Sequence, residues 1–128
     1  MKNYPIREHH LYNKAFHRGE RFVGRLVAVY VLRDYAAKRL MLANPQKQYL
    51  NRVGLSVGKR LGGAVGRNRA KRLLREAYRE IKLQYGIKTG YLVVLAARDA
   101  LVGKKTPEVV RDMTVCFSRL GMLERLPK

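Results

Sequence analysis

The side chains in this 128-residue chain that could carry acid–base, nucleophilic or metal chemistry are three histidines, nine carboxylates and one cysteine. His9 and His10 are adjacent, so on a helix they point about 100° apart and cannot close on one metal ion from one face. His10 and His17 share a helical face, but no third ligand is visible beside them. Among the carboxylates, Glu76 and Glu80 sit close together on a helix face. They lie between basic residues at helical spacing, where salt-bridging is the ordinary explanation. Gly54 to Arg60, GLSVGKR, superficially resembles a phosphate-binding loop. It lacks both the four-residue spacing and the Ser or Thr after lysine, and is rejected as one. Cys116 stands alone, which excludes an internal disulfide and a cysteine-based metal site. It falls on an apolar helical stripe and reads as a small core hydrophobe. A single thiol also fits a reducing cytosol, so the expected location is cytoplasmic. No catalytic residue is assigned to the chain.

Charge points elsewhere. The 28 Lys and Arg against 9 Asp and Glu give a net charge of +19 and a pI near 10.7. A compact domain this basic repels itself, so a polyanionic partner is expected, nucleic acid first. No apolar run reaches the roughly 18 residues of a spanning helix, and no signal-peptide core follows Met1, so no membrane partner is expected. Hydrophobic residues make up 47% of the chain, too many for a disordered basic tail. The densest basic stretch runs from Arg67-Asn68-Arg69 through Lys71, Arg72 and Arg75, with Lys59-Arg60 ahead of it across Gly62-Gly63. It begins at a helix N-terminus, whose free amides favour phosphate. Arginine dominates, which suits forked contacts to phosphate oxygens, and Asn68 can donate to phosphate and accept from a ribose hydroxyl. Such a surface reads backbone and shape rather than base sequence.

The elements that must position these residues follow from periodicity. Ile6 to Arg18 reads as an amphipathic helix closed by Gly19, with Leu11 and Ala15 on one face and Tyr12 and Phe16 side by side on the next. Glu20 to Leu32 reads as extended with a kink at Gly24, and its Leu26–Leu32 part is apolar on both faces, less fully covered on the Tyr30 side. Arg33 to Asn51 reads as a surface excursion. Val53, Leu55 and Val57 alternate with Arg52, Gly54, Ser56 and Gly58, a half-buried strand with a floor of small residues on its second face. Gly62-Gly63 is expected to break that strand. From Ala64 to Tyr85, Ala70, Leu73, Leu74, Ala77, Tyr78, Ile81 and Tyr85 form one buried stripe. Asn68, Lys71, Arg72, Arg75, Arg79 and Lys82 share an arc of roughly 100° opposite it. Tyr91–Ala97 reads as a buried strand. Thr106-Pro107-Glu108 reads as a helix start, with Thr106 as the hydroxyl cap, and Gly121 closes that helix. The order is αβββαβα in a single domain of residues 1–128, with 122–128 expected to be a flexible tail.

Val53-Gly-Leu-Ser-Val-Gly-Lys-Arg60, with Ala64-Val-Gly-Arg-Asn-Arg-Ala-Lys-Arg-Leu-Leu-Arg-Glu-Ala-Tyr-Arg79, resembles the signature of the protein component of bacterial ribonuclease P. Tyr12-Asn-Lys-Ala-Phe16-His-Arg-Gly19 is similar to that family's first helix. The resemblance implies a two-layer α/β sandwich like the second domain of ribosomal protein S5, with a left-handed βαβ crossover against the general rule. It implies the small subunit of a ribonucleoprotein that removes the 5′ leader of precursor tRNA, with the catalytic centre and Mg²⁺ held by the partner RNA and no organic cofactor. On that likeness Lys59, Arg60, Arg67, Asn68, Arg69, Lys71, Arg72 and Arg75 contact the catalytic RNA. Tyr12, Phe16, Tyr30 and Ser56 line the cleft for the single-stranded leader. Gly63 stands where the family often has asparagine, and no obligate protein partner is implied. Two other readings stay open on the residues alone: a ribosomal or general RNA-binding structural protein, and a stand-alone nuclease built on the histidines.

Overall fold

The computed structural model describes residues 4–6, 9–34 and 51–125. Its centre is a mixed sheet in which strands β1 (Tyr4–Pro5), β2 (Glu20–Val23), β3 (Val27–Arg33), β4 (Asn51–Ser56) and β5 (Tyr91–Ala97) lie in the order β1-β4-β5-β3-β2. β5 runs parallel to β4 and antiparallel to β3, so the last strand in sequence is the middle strand in space. The αβββαβα order holds, preceded by the two-residue β1.

Alternation decides which side each strand residue serves. Val27, Val29, Val31, Val93 and Leu95 pack with α2 (Ala64–Tyr85) and α3 (Thr106–Arg119), and this makes the larger core. Phe117, Leu74 and Ile81 are among its largest fully buried side chains. The sheet and this helix pair form the two main layers. The other side of the sheet carries a smaller cluster of Ile6, Leu11, Ala15, Leu92 and Val94 under α1 (His9–Arg18). There Tyr12, Phe16, Tyr30 and Leu32 are only half-buried, so α1 covers that side incompletely.

Several local expectations need correction. Gly24 is not a kink in one strand. It opens a reverse turn that folds β2 back on β3, with Val23 opposite Ala28. A Cβ on Gly24 would lie 2.5 Å from Asp112 Oδ2 and 2.9 Å from Cys116 Sγ, because α3 presses on the turn. β4 ends at Ser56, and a 3-10 turn (Lys59–Leu61) that buries Leu61 intervenes before Gly62-Gly63. At α3 the cap residue is Lys105, whose N–H donates to Glu108 Oε2 at 2.9 Å, and Thr106 is already helical. Residues 122–125 are docked rather than free. Met122 and Leu123 are buried, Leu123 bridges to Ile87, and Glu124 N donates to Gly86 O at 3.0 Å.

Of the Arg33–Asn51 excursion, residues 35–50 lie outside the described residues. At its described ends Asp34 and Asn51 are buried, while Arg33 is exposed. Arg52 donates twice to Asp34, at 2.6 and 2.7 Å, and Asn51 donates to the Tyr78 hydroxyl at 3.1 Å and to Lys88 O at 3.0 Å. Such forked, charge-assisted contacts are the strong ones.

Candidate nucleic-acid interface

One end of the sheet collects the basic side chains, and connectivity explains why. β4 and β5 are parallel, so their carboxyl ends coincide, and the start of β3 lies beside them because Val27 pairs with Ala97. Lys59 and Arg60 follow β4, Arg98 follows β5, and Arg25 sits in the β2–β3 turn. α2 returns from this end, and its first turn has no acidic residue and no side-chain cap at Gly63. α3 also starts here, since Asp112 in its second turn accepts N–H bonds from Arg25, Leu26 and Val27 at 3.0, 2.9 and 3.0 Å. Two helix N-termini and the carboxyl ends of parallel strands thus share one surface, an arrangement that favours anions. Its one ion pair among the described residues, Arg60 with Asp99 at 3.9 Å, is long and open to solvent.

The arginine block on α2 does not act as one patch. Arg67 and Arg69 are two positions apart and project about 200° apart around the helix. Arg69 is exposed and donates to Lys104 O at 3.1 Å, which ties α2 to the segment before α3. Arg67 is half-buried, and its Nε is buried without a hydrogen-bond partner among the described residues. A buried donor left unmade costs about 1–3 kcal/mol, which an incoming oxygen would recover. Asn68, Arg72 and Arg75 are exposed on the arc away from the core, with Lys71 half-buried beside them. Farther along, Arg79 is paired with Glu76 at 3.2 Å.

A second surface lies on the α1 side of the sheet. Register places Gly54, Val94, Tyr30 and Arg21 in one cross-strand row and Ser56, Ala96, Ala28 and Val23 in the next, toward the basic end. The second row is paved with short side chains. Over the first row lies Tyr12, so close that a Cβ on Gly54 would sit 2.6 Å from three atoms of its phenol. Only glycine leaves room for the ring on the strand. Phe16 meets Tyr30 edge to face, with centroids 4.8 Å apart and planes at 87°. Tyr12, Phe16, Tyr30 and Ser56 therefore occupy one side of the sheet, and the first three share one half-buried cluster. Arg21 and Val23 at its rim were not anticipated. Nothing in their local pattern marks them, because β2–β3 pairing brings them there.

Among the described residues two side chains have shifted acidities, both in the core. Burial pushes the Tyr78 phenol up to about 12, opposed by its bond from Asn51. Burial, then the Asp112 charge, pushes the Cys116 thiol up to about 12. Its S–H reaches Val27 O at 3.6 Å. These are the properties of packed, unreactive groups. No group of three His, Cys, Asp or Glu side chains converges on a possible metal position among the described residues. Near the basic end, Asp112 and Glu108 are occupied by backbone N–H groups. This donor set does not fit a protein-held divalent ion. No described helix is long and apolar enough to cross a membrane.

Fold and surfaces together define a basic α/β protein suited to a polyanionic strand. The family model for ribonuclease P matches residues 1–121, and the chain belongs to the family of the ribonuclease P protein component, part of the ribonucleoprotein endonuclease that processes tRNA. It is 31% identical to the ribonuclease P protein component of Clostridium acetobutylicum over 123 residues, 96% of this chain and 93% of the relative. It is 33% identical to that of Symbiobacterium thermophilum over 124 residues, 97% of this chain and 96% of the relative. The fold is similar to that of the Staphylococcus aureus RNase P protein, with a TM-score of 0.71 at 22% identity, covering 94% of this chain and 98% of that one.

Proposed function

We propose that the chain binds the catalytic RNA of ribonuclease P through its basic end and holds the 5′ leader of precursor tRNA on the α1 side of the sheet, in the cytoplasm. The observation that carries this reading is the half-covered aromatic surface lying directly beside the cationic strand ends. A single strand crossing it would stack bases on Tyr12 and Phe16 while its phosphates approach Lys59 and Arg60. The exposed Asn68, Arg72 and Arg75, with Lys71, present a separate arc to the partner RNA, and Arg67 offers its unmade donor. Tyr30 is supported as a brace for Phe16 as much as a contact of its own. Ser56 is supported as part of the short-side-chain floor.

In this reading the protein's own residues bind and orient. Mg²⁺ bound by RNA phosphates would supply charge neutralisation and activation of the attacking water. Reconstitution tests the proposal. The protein alone should leave precursor tRNA intact and should speed its cleavage by the cognate RNA at low Mg²⁺. Phe16→Ala should weaken leader-bearing substrate more than mature tRNA. Cleavage by RNA-free protein would overturn the proposal. So would equal loss for both substrates, which would reduce Phe16 to core packing.

A further inference from the structure

A cleft of about 690 Å³ opens between the β2–β3 turn and the start of α3, within the basic end of the sheet. Leu26, Ala100 and Val115 give it apolar walls, and Arg25, Lys104 and Arg111 stand around them. None of these three cations forms an ion pair among the described residues. Two carboxylates border the cleft, but both are committed to the backbone. Asp112 caps the turn amides of Arg25, Leu26 and Val27, and Glu108 accepts from Lys105 N. The Arg98 guanidinium donates to Gly24 O and fixes the wall between turn and cleft. The volume lies in the range of small-molecule sites and far exceeds what a bare phosphate fills. The cleft also adjoins the arginine block, because Arg69 is bonded to Lys104 O.

We propose that this cleft seats one unpaired RNA nucleotide, with its phosphate among Arg25, Lys104 and Arg111 and its base against Leu26, Ala100 and Val115. The inference rests on the RNA-binding reading and extends the RNA path from α2 across to α3. An apolar wall takes the face of any base, so the site selects an unstacked nucleotide rather than a sequence. Arg111 is exposed and Val115 is 50% exposed, so both can be changed without touching the core.

The test is titration of the full-length protein with cytidine 5′-monophosphate, inorganic phosphate and cytidine, followed through backbone amide resonances. The monophosphate should shift the amides of Ala100, Lys104 and Val115, and Arg111→Gln should weaken it by about tenfold. Inorganic phosphate binding as tightly as the monophosphate would overturn the nucleotide, and so would Arg111→Gln binding with unchanged affinity. A second measurement uses the ribonucleoprotein. Photocrosslinking from Val115→p-benzoylphenylalanine should capture RNA, and its failure to do so would count against the site. The two readings fail differently. If RNA binding itself were wrong, Arg72→Ala would leave RNA affinity unchanged. If only the cleft were wrong, Arg72→Ala would lower it while Arg111→Gln and Val115→Asp would not.

Discussion

Gly54→Ala tests whether the Tyr12 ring owes its position to the bare strand beneath it. The added Cβ would lie 2.6 Å from Cε1, Cζ and the hydroxyl oxygen of Tyr12. To reach ordinary van der Waals separation the ring must retreat by about 1 Å. Gly54 has no positive φ, so alanine brings no backbone strain and removes about 0.4–1 kcal/mol of unfolded-state freedom. Overpacking costs about 1–3 kcal/mol in a closed core, but Tyr12 is half-exposed and can swing outward, so the net stability change should stay within about 1 kcal/mol. Leader binding should suffer more. Losing one stacking platform costs about 1–3 kcal/mol, or roughly 5- to 150-fold in affinity. The assay is fluorescence anisotropy of the ribonucleoprotein with leader-bearing and leaderless tRNA, with urea unfolding to monitor stability. Tyr12→Ala completes a double-mutant cycle. In that background Gly54→Ala should change leader affinity by less than about twofold. If Gly54→Ala lowered affinity by the same factor with or without the Tyr12 ring, the reasoning would be wrong.

Other consequences can be measured directly. Asp112→Ala removes the acceptor of three turn amides and should cost about 2–4 kcal/mol in urea unfolding; a loss under 1 kcal/mol would show that water replaces the carboxylate. Arg72→Ala should lower the slope of log affinity against log salt by about 0.7–0.9, and an unchanged slope would place Arg72 away from phosphate. Tyr78 and Cys116 have folded acidities raised above their usual 10.0 and 9.0, so the folded state favours their neutral forms. Their contribution is complete below those values and is lost as pH rises toward about 12. Tyr78 alone should account for about 2–3 kcal/mol of the alkaline loss, and Tyr78→Phe should flatten the decline between pH 10 and 12. Asp34→Ala removes the carboxylate to which Arg52, with its side chain 16% exposed, donates twice, and should destabilise by about 3 kcal/mol in the same unfolding assay.

The parts legible from sequence were those whose cause is local. α2 runs from Ala64 to Tyr85 as its stripe requires, β5 spans Tyr91–Ala97, and Gly86 at φ 74 ends the long helix. The basic arc on α2 follows from helical geometry alone. What escaped was pairing across the chain. Gly24 looked like a kink because the residue that stabilises its turn, Asp112, lies 88 positions away. The small second face of β4 was visible as a floor, but its occupant was not, since Tyr12 reaches Gly54 only once α1 is laid across the sheet. Tyr12 and Phe16, expected as neighbours on the helix, share one cluster, but the edge-to-face contact of Phe16 with Tyr30 across the sheet was not foreseen. The cleft beside α3 joins the β2–β3 turn to side chains between residues 98 and 115, and has no signature in either stretch.

The Asp112 bonds to the β2–β3 turn bear on the order in which this protein can be made. The three amides they satisfy belong to residues 25–27, and the carboxylate is synthesised some 85 residues later. β3 likewise waits for β5, which supplies its antiparallel neighbour, and β4 waits for the same strand on its inner edge. A nascent chain emerging from the ribosome therefore holds a hairpin without its clasp and a sheet without its middle strand. Long-range closure of this kind slows folding and leaves apolar strands uncovered meanwhile. With 25 of the 28 basic residues already present in residues 1–111, premature contact with RNA is the hazard to expect during synthesis. Truncation before residue 112 should leave a basic, aggregation-prone fragment rather than a smaller working domain.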